Sequence, residues 1–145
     1  MNIKHERGTV SELVAASHFV QNGYKVSIPV ESFGEYDLVI DKDQLQRVQV
    51  KTIYWDNSKK RCLISCVTSH IRGEGRRTNK KYANNVFDLL CGVHLESGSI
   101  YLIPYKRVAG HRSITVYPQG KPNTVNDRYE DFEQYAEQLH KLAGR

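Results

Sequence analysis

Apolar residues near the start of the chain recur at helical spacing, and from residue 24 onward they recur at strand spacing. Val10, Leu13, Val14 and Val20 keep steps of three to four or six to seven residues, which predicts a helix over residues 2–22. Gly23 then stands where a helix asks for a left-handed C-terminal cap. Val26, Ile28 and Val30 in "YKVSIPV" alternate with polar or small residues, "YDLVI" is a short apolar run, and "RVQVKTI" alternates again. Three strands are therefore expected, with a turn at "DKDQ" between the second and third, and "RCLISCV" reads as a fourth.

The pattern then breaks. "SHIRGEGRRTNKKYANN" has no sustained apolar period and carries five basic side chains (Arg72, Arg76, Arg77, Lys80 and Lys81) against one acid, so it reads as a mobile basic loop. Order resumes with "FDLLCGVHLE" and "SIYLIPY", a hairpin around "SGS", followed by a short strand at "SITVY". "RYEDFEQYAEQLHKLAG" closes the chain as a helix with Tyr129, Phe132, Ala136, Leu139 and Ala143 on one stripe. Helix, mixed sheet, helix describes an α/β fold.

Composition narrows the class. The 145 residues, 39% hydrophobic and 26% charged, suit one globular domain spanning residues 1–145. Lysine and arginine outnumber aspartate and glutamate 21 to 16, a net charge of +5, which suits a polyanionic partner. No apolar run reaches the roughly eighteen residues a membrane helix needs, and "MNIKHERGTV" has charges where a secretory signal needs its apolar stretch. The expected protein has no membrane partner and is cytoplasmic. Three cysteines without a Cys-x-x-Cys spacing indicate neither a disulfide framework nor a zinc ribbon. Cys62 and Cys66 fall at even spacing with His70 in "CLISCVTSH", but tetrahedral zinc asks for a fourth ligand and tighter spacing, so two buried, inert cysteines are the expectation.

The chemistry concentrates in "YDLVIDKDQLQRVQVKT". If the two runs pair as a hairpin, Gln49 and Lys51 share one face of their strand, and Asp37 near the start of the partner strand converges with them. A carboxylate and an amide oxygen are hard ligands suited to Mg²⁺, and a neighbouring lysine can steady or deprotonate a water beside a phosphate. Phosphodiester hydrolysis needs that set. Taken singly, each residue also fits a plain role on a solvated strand.

Glu12, Tyr36-Asp37 and Gln49-Val50-Lys51, laid out as helix, strand, strand, resemble the PD-(D/E)XK nuclease core. The wider run "HERGTVSEL", "NGYKVSIPV", "YDLVI", "VQVKT", "VFDLLCGV" and "IYLIPYKRV" is similar to the group I intron-encoded homing endonucleases built on that core, over roughly residues 5–108. The resemblance implies the restriction-endonuclease-like fold, a central mixed sheet flanked by helices. It also implies a Mg²⁺- or Mn²⁺-dependent endonuclease acting on double-stranded DNA. By resemblance, Asp37 is the motif aspartate, Lys51 the motif lysine and Glu12 the helical acid. Gln49 departs from the usual acid, and its neutral oxygen holds an ion less firmly. Glutamine variants occur in the superfamily, the homing subgroup among them. The resemblance thus implies an ion held by Asp37, Gln49 and the Val50 carbonyl, with Glu12 as a further ligand or helper. Two alternatives stay open: a catalytically lapsed DNA-binding module on the same fold, and a junction resolvase or restriction-type nuclease. Glu12 has another reading too, because "TVSE" has capping-box spacing from Thr9.

The basic loop suits phosphate clamping and groove entry, and Lys4, His5 and Arg7 are positioned to add phosphate contacts. Tyr54 and Trp55 are adjacent and point to opposite strand faces, so at least one is expected to be buried against the sheet. Cutting both strands of a duplex needs at least a symmetric dimer. Rejecting roughly 10⁶ to 10⁹ competing genomic sites asks for a longer contact than one small domain makes, so a homotetramer, a dimer of dimers, is expected. Phe132, Ala136 and Leu139, or the strand "SIYLI", are its candidate interfaces.

Overall fold

The computed structural model describes residues 3–31, 35–71, 77–81 and 86–120. The expected closing helix, with its Phe132, Ala136 and Leu139 stripe, lies outside the described residues, as do Arg72 and Arg76.

Helix α1 spans Ile3–Gln21 and ends as its sequence predicts. Gly23 takes φ +86°, its amide donates to the Val20 carbonyl at 3.1 Å, and the Tyr24 amide donates to the Phe19 carbonyl at 3.0 Å. This is the Schellman pair of bonds, and its apolar contact is present as an edge-to-face Phe19–Tyr24 pair 5.4 Å between centroids. The inward face is not the one formed by the residues whose spacing predicts the helix. Ser11, Ala15 and Phe19 are buried, whereas Val10, Leu13 and Val20 are exposed. The core needs one narrow stripe of small and aromatic residues, and Val14 only flanks it.

The central sheet runs β1 (Lys25–Ser27), β2 (Leu38–Asp41), β3 (Leu45–Thr52), β8 (Leu89–His94), β9 (Ser99–Pro104) in spatial order. β2 and β3 form the expected hairpin, with Asp41 opposite Leu45 and Leu38 opposite Val48. β8 joins β3 in parallel, and β9 closes antiparallel on β8, so the sheet is mixed. The strands β4 (Tyr54–Asp56), β5 (Arg61–Ser65) and β10 (Ser113–Val116) form a second sheet in the order β10-β5-β4. A short helix, α2 (Tyr105–Val108), follows β9.

Two cores result. Ala15 and Phe19 pack with Leu38, Ile40, Val48, Val50, Cys91 and Val93 on one face of the central sheet. Ile53, Ile64, Phe87, Leu90, Ile103 and Ile114 fill the space between its other face and the second sheet. β8 is thus covered on both faces, which explains its unbroken run of buried side chains in place of alternation. Gly92 permits the close approach, since a Cβ there would overlap the Ile64 side chain.

Two segments differ from expectation. The fourth strand breaks at Cys66 into β5 and β6 (Val67–Ile71), and β6 pairs antiparallel with β7 (Arg77–Lys81) as a separate two-stranded ribbon. Arg77, Lys80 and Lys81 therefore stand on a strand, not in a loop. Backbone pairing between polar residues holds this ribbon, and apolar periodicity does not report it. Tyr54 and Trp55 are 44% and 57% exposed, so neither is buried against the sheet. They lie on β4, an edge strand of the second sheet.

Candidate active site

Asp37 precedes β2, and two backbone bonds to β3 lock it in place. Its amide donates to the Val48 carbonyl at 2.8 Å, and its Oδ2 accepts the Val50 amide at 2.8 Å. The second bond aims the carboxylate along β3, between Gln49 and Lys51. On the helix side, Glu12 lies near enough to Asp37 to feel its charge. Partial burial pushes the Glu12 carboxyl up to about 7, and the neighbouring Asp37 carboxylate adds to that rise.

Helix α1 cannot rotate freely over this point. Ser11, buried one residue before Glu12, exchanges a 2.6 Å hydroxyl bond with Thr52, one residue beyond Lys51. That bond ties the helix to the end of β3 and fixes the height of Glu12 against Asp37. The capping-box reading of Glu12 does not hold, since Thr9 lies within the helix and its Oγ1 donates to the His5 carbonyl four residues earlier, at 3.0 Å.

Lys51 is the most enclosed cation of the group. Its Nζ donates to the Val67 carbonyl at 3.3 Å, where β6 leaves the second sheet. Burial holds its pKa below the ordinary lysine value, while the charge of Asp37 opposes that fall. Cys66 is buried and its thiol is pushed up to about 12 by desolvation, so it stays protonated beside Lys51. Gln49 sits half-buried one alternation earlier on the same strand, paired in register with Leu90.

The structure thus gathers Glu12, Asp37 and Lys51 around the middle of β3, with Gln49 and Val50 on the same strand. Among the described residues, no group of three or more His, Cys, Asp and Glu side chains is gathered as a metal cage. Glu12 and Asp37 could offer carboxylate oxygens to an ion here, and Gln49 and Val50 on β3 carry an amide and a carbonyl. That set suits a hard, partly hydrated divalent ion, and the crowded Glu12–Asp37 pair is the kind of charge concentration such an ion relieves.

The other candidates lie elsewhere. Lys4 and Arg7 are on the first turns of α1, where Arg7 pairs with Glu96 at 2.9 Å on the surface. Arg77, Lys80 and Lys81 are on the β6–β7 ribbon, whose first strand starts at the Val67 carbonyl that Lys51 touches. Sequence spacing does not reveal the Ser11–Thr52 bond, the Val67 carbonyl or the Arg47–Asp88 pair. In that pair, Asp88 Oδ2 accepts the Arg47 amide at 2.7 Å and its Nε at 3.2 Å, which sets the start of β8 against β3. Residues far apart in sequence make all three, so no local signal marks them. The Cys62–Cys66 pair is split as well, with Cys66 buried and Cys62 half-buried.

The fold and the sequence agree with known proteins. A bacterial homing endonuclease, I-Ssp6803I, superposes with a TM-score of 0.81 over 99% of this chain and 95% of that one, at 19% identity, which is a likeness of fold. Protein 5.3 of Escherichia phage T7 is 42% identical over 53 residues. That stretch is 36% of this chain and 45% of the phage protein, so it spans less than half of that relative. The profile of PD-(D/E)XK endonucleases matches residues 1–137, nearly the whole length, and the chain belongs to the PD-(D/E)XK endonuclease family.

Proposed function

We propose that the protein is a site-specific homing endonuclease of the group I intron type, a single domain over residues 1–145 that cuts both strands of duplex DNA with Mg²⁺ or Mn²⁺. The observation that carries this reading is the Asp37 carboxylate, held by the Val50 amide at 2.8 Å, with Glu12 near it on α1 and Lys51 on the adjoining strand. The 0.81 superposition on I-Ssp6803I supports the homing assignment at the level of fold.

Asp37, Gln49 and the Val50 carbonyl would hold the ion, with Glu12 beside them. When bound, a divalent ion supplies Lewis-acid polarisation of the scissile phosphate and offsets the charge that develops on it. The chain's own residues do the rest. Asp37, clamped by two backbone bonds, presents its carboxylate without rearrangement. Lys51, with its pKa lowered by burial, orients the attacking water and takes its proton more readily than an exposed lysine does. Glu12, raised to about 7, accepts or shares a proton at neutral pH at little cost. Lys4, Arg7, Arg72, Arg76, Arg77, Lys80 and Lys81 supply phosphate and groove contacts.

Cutting two antiparallel strands asks for a two-fold pair of such sites, and a long target asks for more contact surface. We therefore propose a dimer of dimers. The protein would act in the cytoplasm; among the described residues no helix is long and apolar enough to cross a membrane.

The test is incubation of the full chain with randomised duplex DNA, with and without Mg²⁺, followed by sequencing of the cut ends. Cleavage at one recurrent sequence only with the metal is expected. Binding to a recurrent sequence without cutting would favour a lapsed DNA-binding module, the reading Gln49 supports. Structure-specific cutting of branched DNA would favour a junction resolvase.

A further inference from the structure

A second feature lies one residue past Lys51, outside the group formed by Glu12, Asp37, Gln49 and Lys51. Beyond Thr52 the chain enters β4, and a cleft of about 1090 Å³ opens between the β4–β5 hairpin, the first turns of α1 and the segment after β10. Among the described residues its lining includes Lys4, Arg7, Lys60 and Arg61 against one carboxylate, Glu96, which pairs with Arg7. The described lining therefore carries more cations than acids. Trp55 also lines it, 57% exposed, on the same strand face as its register partner Cys62. It is the chain's one tryptophan.

A large exposed indole is costly to leave in water, and Trp55 stands beside a tight turn. Asp56 Oδ1 accepts the Ser58 amide at 2.9 Å, the Ser58 hydroxyl at 2.7 Å and the Lys59 amide at 2.9 Å. This closes the hairpin and leaves Lys60 in a left-handed conformation at φ +55°. Trp55 and Lys60 thus flank the same turn. An exposed aromatic face beside several cations is the arrangement that binds an unstacked base together with its phosphates. Duplex DNA does not fit this chemistry, because its base faces are occupied by stacking.

We infer that this cleft binds a single-stranded DNA segment, with an unpaired base stacked on Trp55 and the flanking phosphates on Lys60, Arg61 and Lys4. The inference rests on the nuclease reading only for the identity of the nucleic acid as DNA. It gives the enzyme a place to hold a strand that has left the duplex next to the cutting site.

The test uses the full chain in EDTA, so that no cleavage enters the readout, and follows the fluorescence of Trp55 during titration with a short single-stranded oligonucleotide and with its duplex. Saturable quenching by the single strand, clearly stronger than by the duplex, is expected. Trp55→Ala should weaken single-strand affinity, read by anisotropy of a labelled oligonucleotide, roughly ten-fold, while Trp55→Phe keeps most of it. Lys60→Gln should reduce the salt slope of single-strand binding by about 0.7. Fluorescence unchanged at saturating oligonucleotide, equal quenching by duplex, or unaltered affinity of Trp55→Ala would overturn the inference. Failure of metal-dependent cleavage in the separate duplex assay would overturn the nuclease reading and leave this result standing.

Discussion

Glu12 and Asp37, 25 positions apart on helix α1 and just before β2, lie near enough that partial burial and the neighbouring Asp37 carboxylate shift the Glu12 carboxyl from 4.5 to about 7. The direction has a consequence for stability. A carboxyl raised in the folded state keeps its proton there after the unfolded chain has lost it. Its favourable contribution is thus complete below pH 4.5 and is lost as pH rises through 7. In metal-free buffer, stability should fall over that window by roughly 1 kcal/mol from this group, after discounting for the screening of a half-exposed side chain. Urea unfolding at several pH values checks this. The slope should flatten in Glu12→Gln, and an unchanged slope would separate Glu12 from Asp37.

Lys51→Ala and Asp37→Ala should each reduce cleavage by at least about 10²-fold, with duplex binding largely retained. On the proposed reading affinity would come from the basic side chains, whereas these two would act as the phosphodiester bond breaks. Single-turnover kinetics beside a gel-shift titration separate the two effects. Normal cutting by either variant would remove the site assignment.

Gln49→Glu adds a further carboxyl to the group that holds Glu12 and Asp37. If Gln49 is a direct ligand, the Mg²⁺ and Mn²⁺ titration curves of cleavage should move to lower metal concentration. Superimposable curves would put the amide outside the coordination sphere.

Gly92→Ala should destabilise the protein by about 1–3 kcal/mol, because the new methyl overlaps Ile64, a side chain with no exposed surface to move into. Thermal unfolding reads this as a fall of about 2–4 °C per kcal/mol. Ile64→Val should recover part of the loss, and no recovery would place the strain elsewhere.

Light scattering of the full chain, alone and with target duplex, tests the assembly. A tetrameric mass is expected with DNA. A monomer unchanged by DNA rules out double-strand cutting by the proposed geometry, and a stable dimer with full specificity removes only the second pair.

Part of the candidate site's placement is legible in the amino-acid sequence. Gln49 and Lys51 lie on one strand of a local hairpin whose apolar alternation sets its register, and Asp37 stands just before the partner strand, so the period-two rule puts the amide and the lysine on one face. Gly23 is readable for the same local reason, since a helix end needs one left-handed residue. The buried face of α1 is not. Val10 and Leu13 are more apolar than Ser11 and Ala15, yet Ser11, Ala15 and Phe19, four residues apart on one helix face, are the ones buried. The parallel join of β3 to β8, the Ser11–Thr52 bond and the pairing of a polar ribbon at Arg77–Lys81 likewise depend on partners dozens of residues away or on backbone bonds. Local periodicity reports which side chains share a face of one element. Which face is covered, and by what, is decided only when the elements pack.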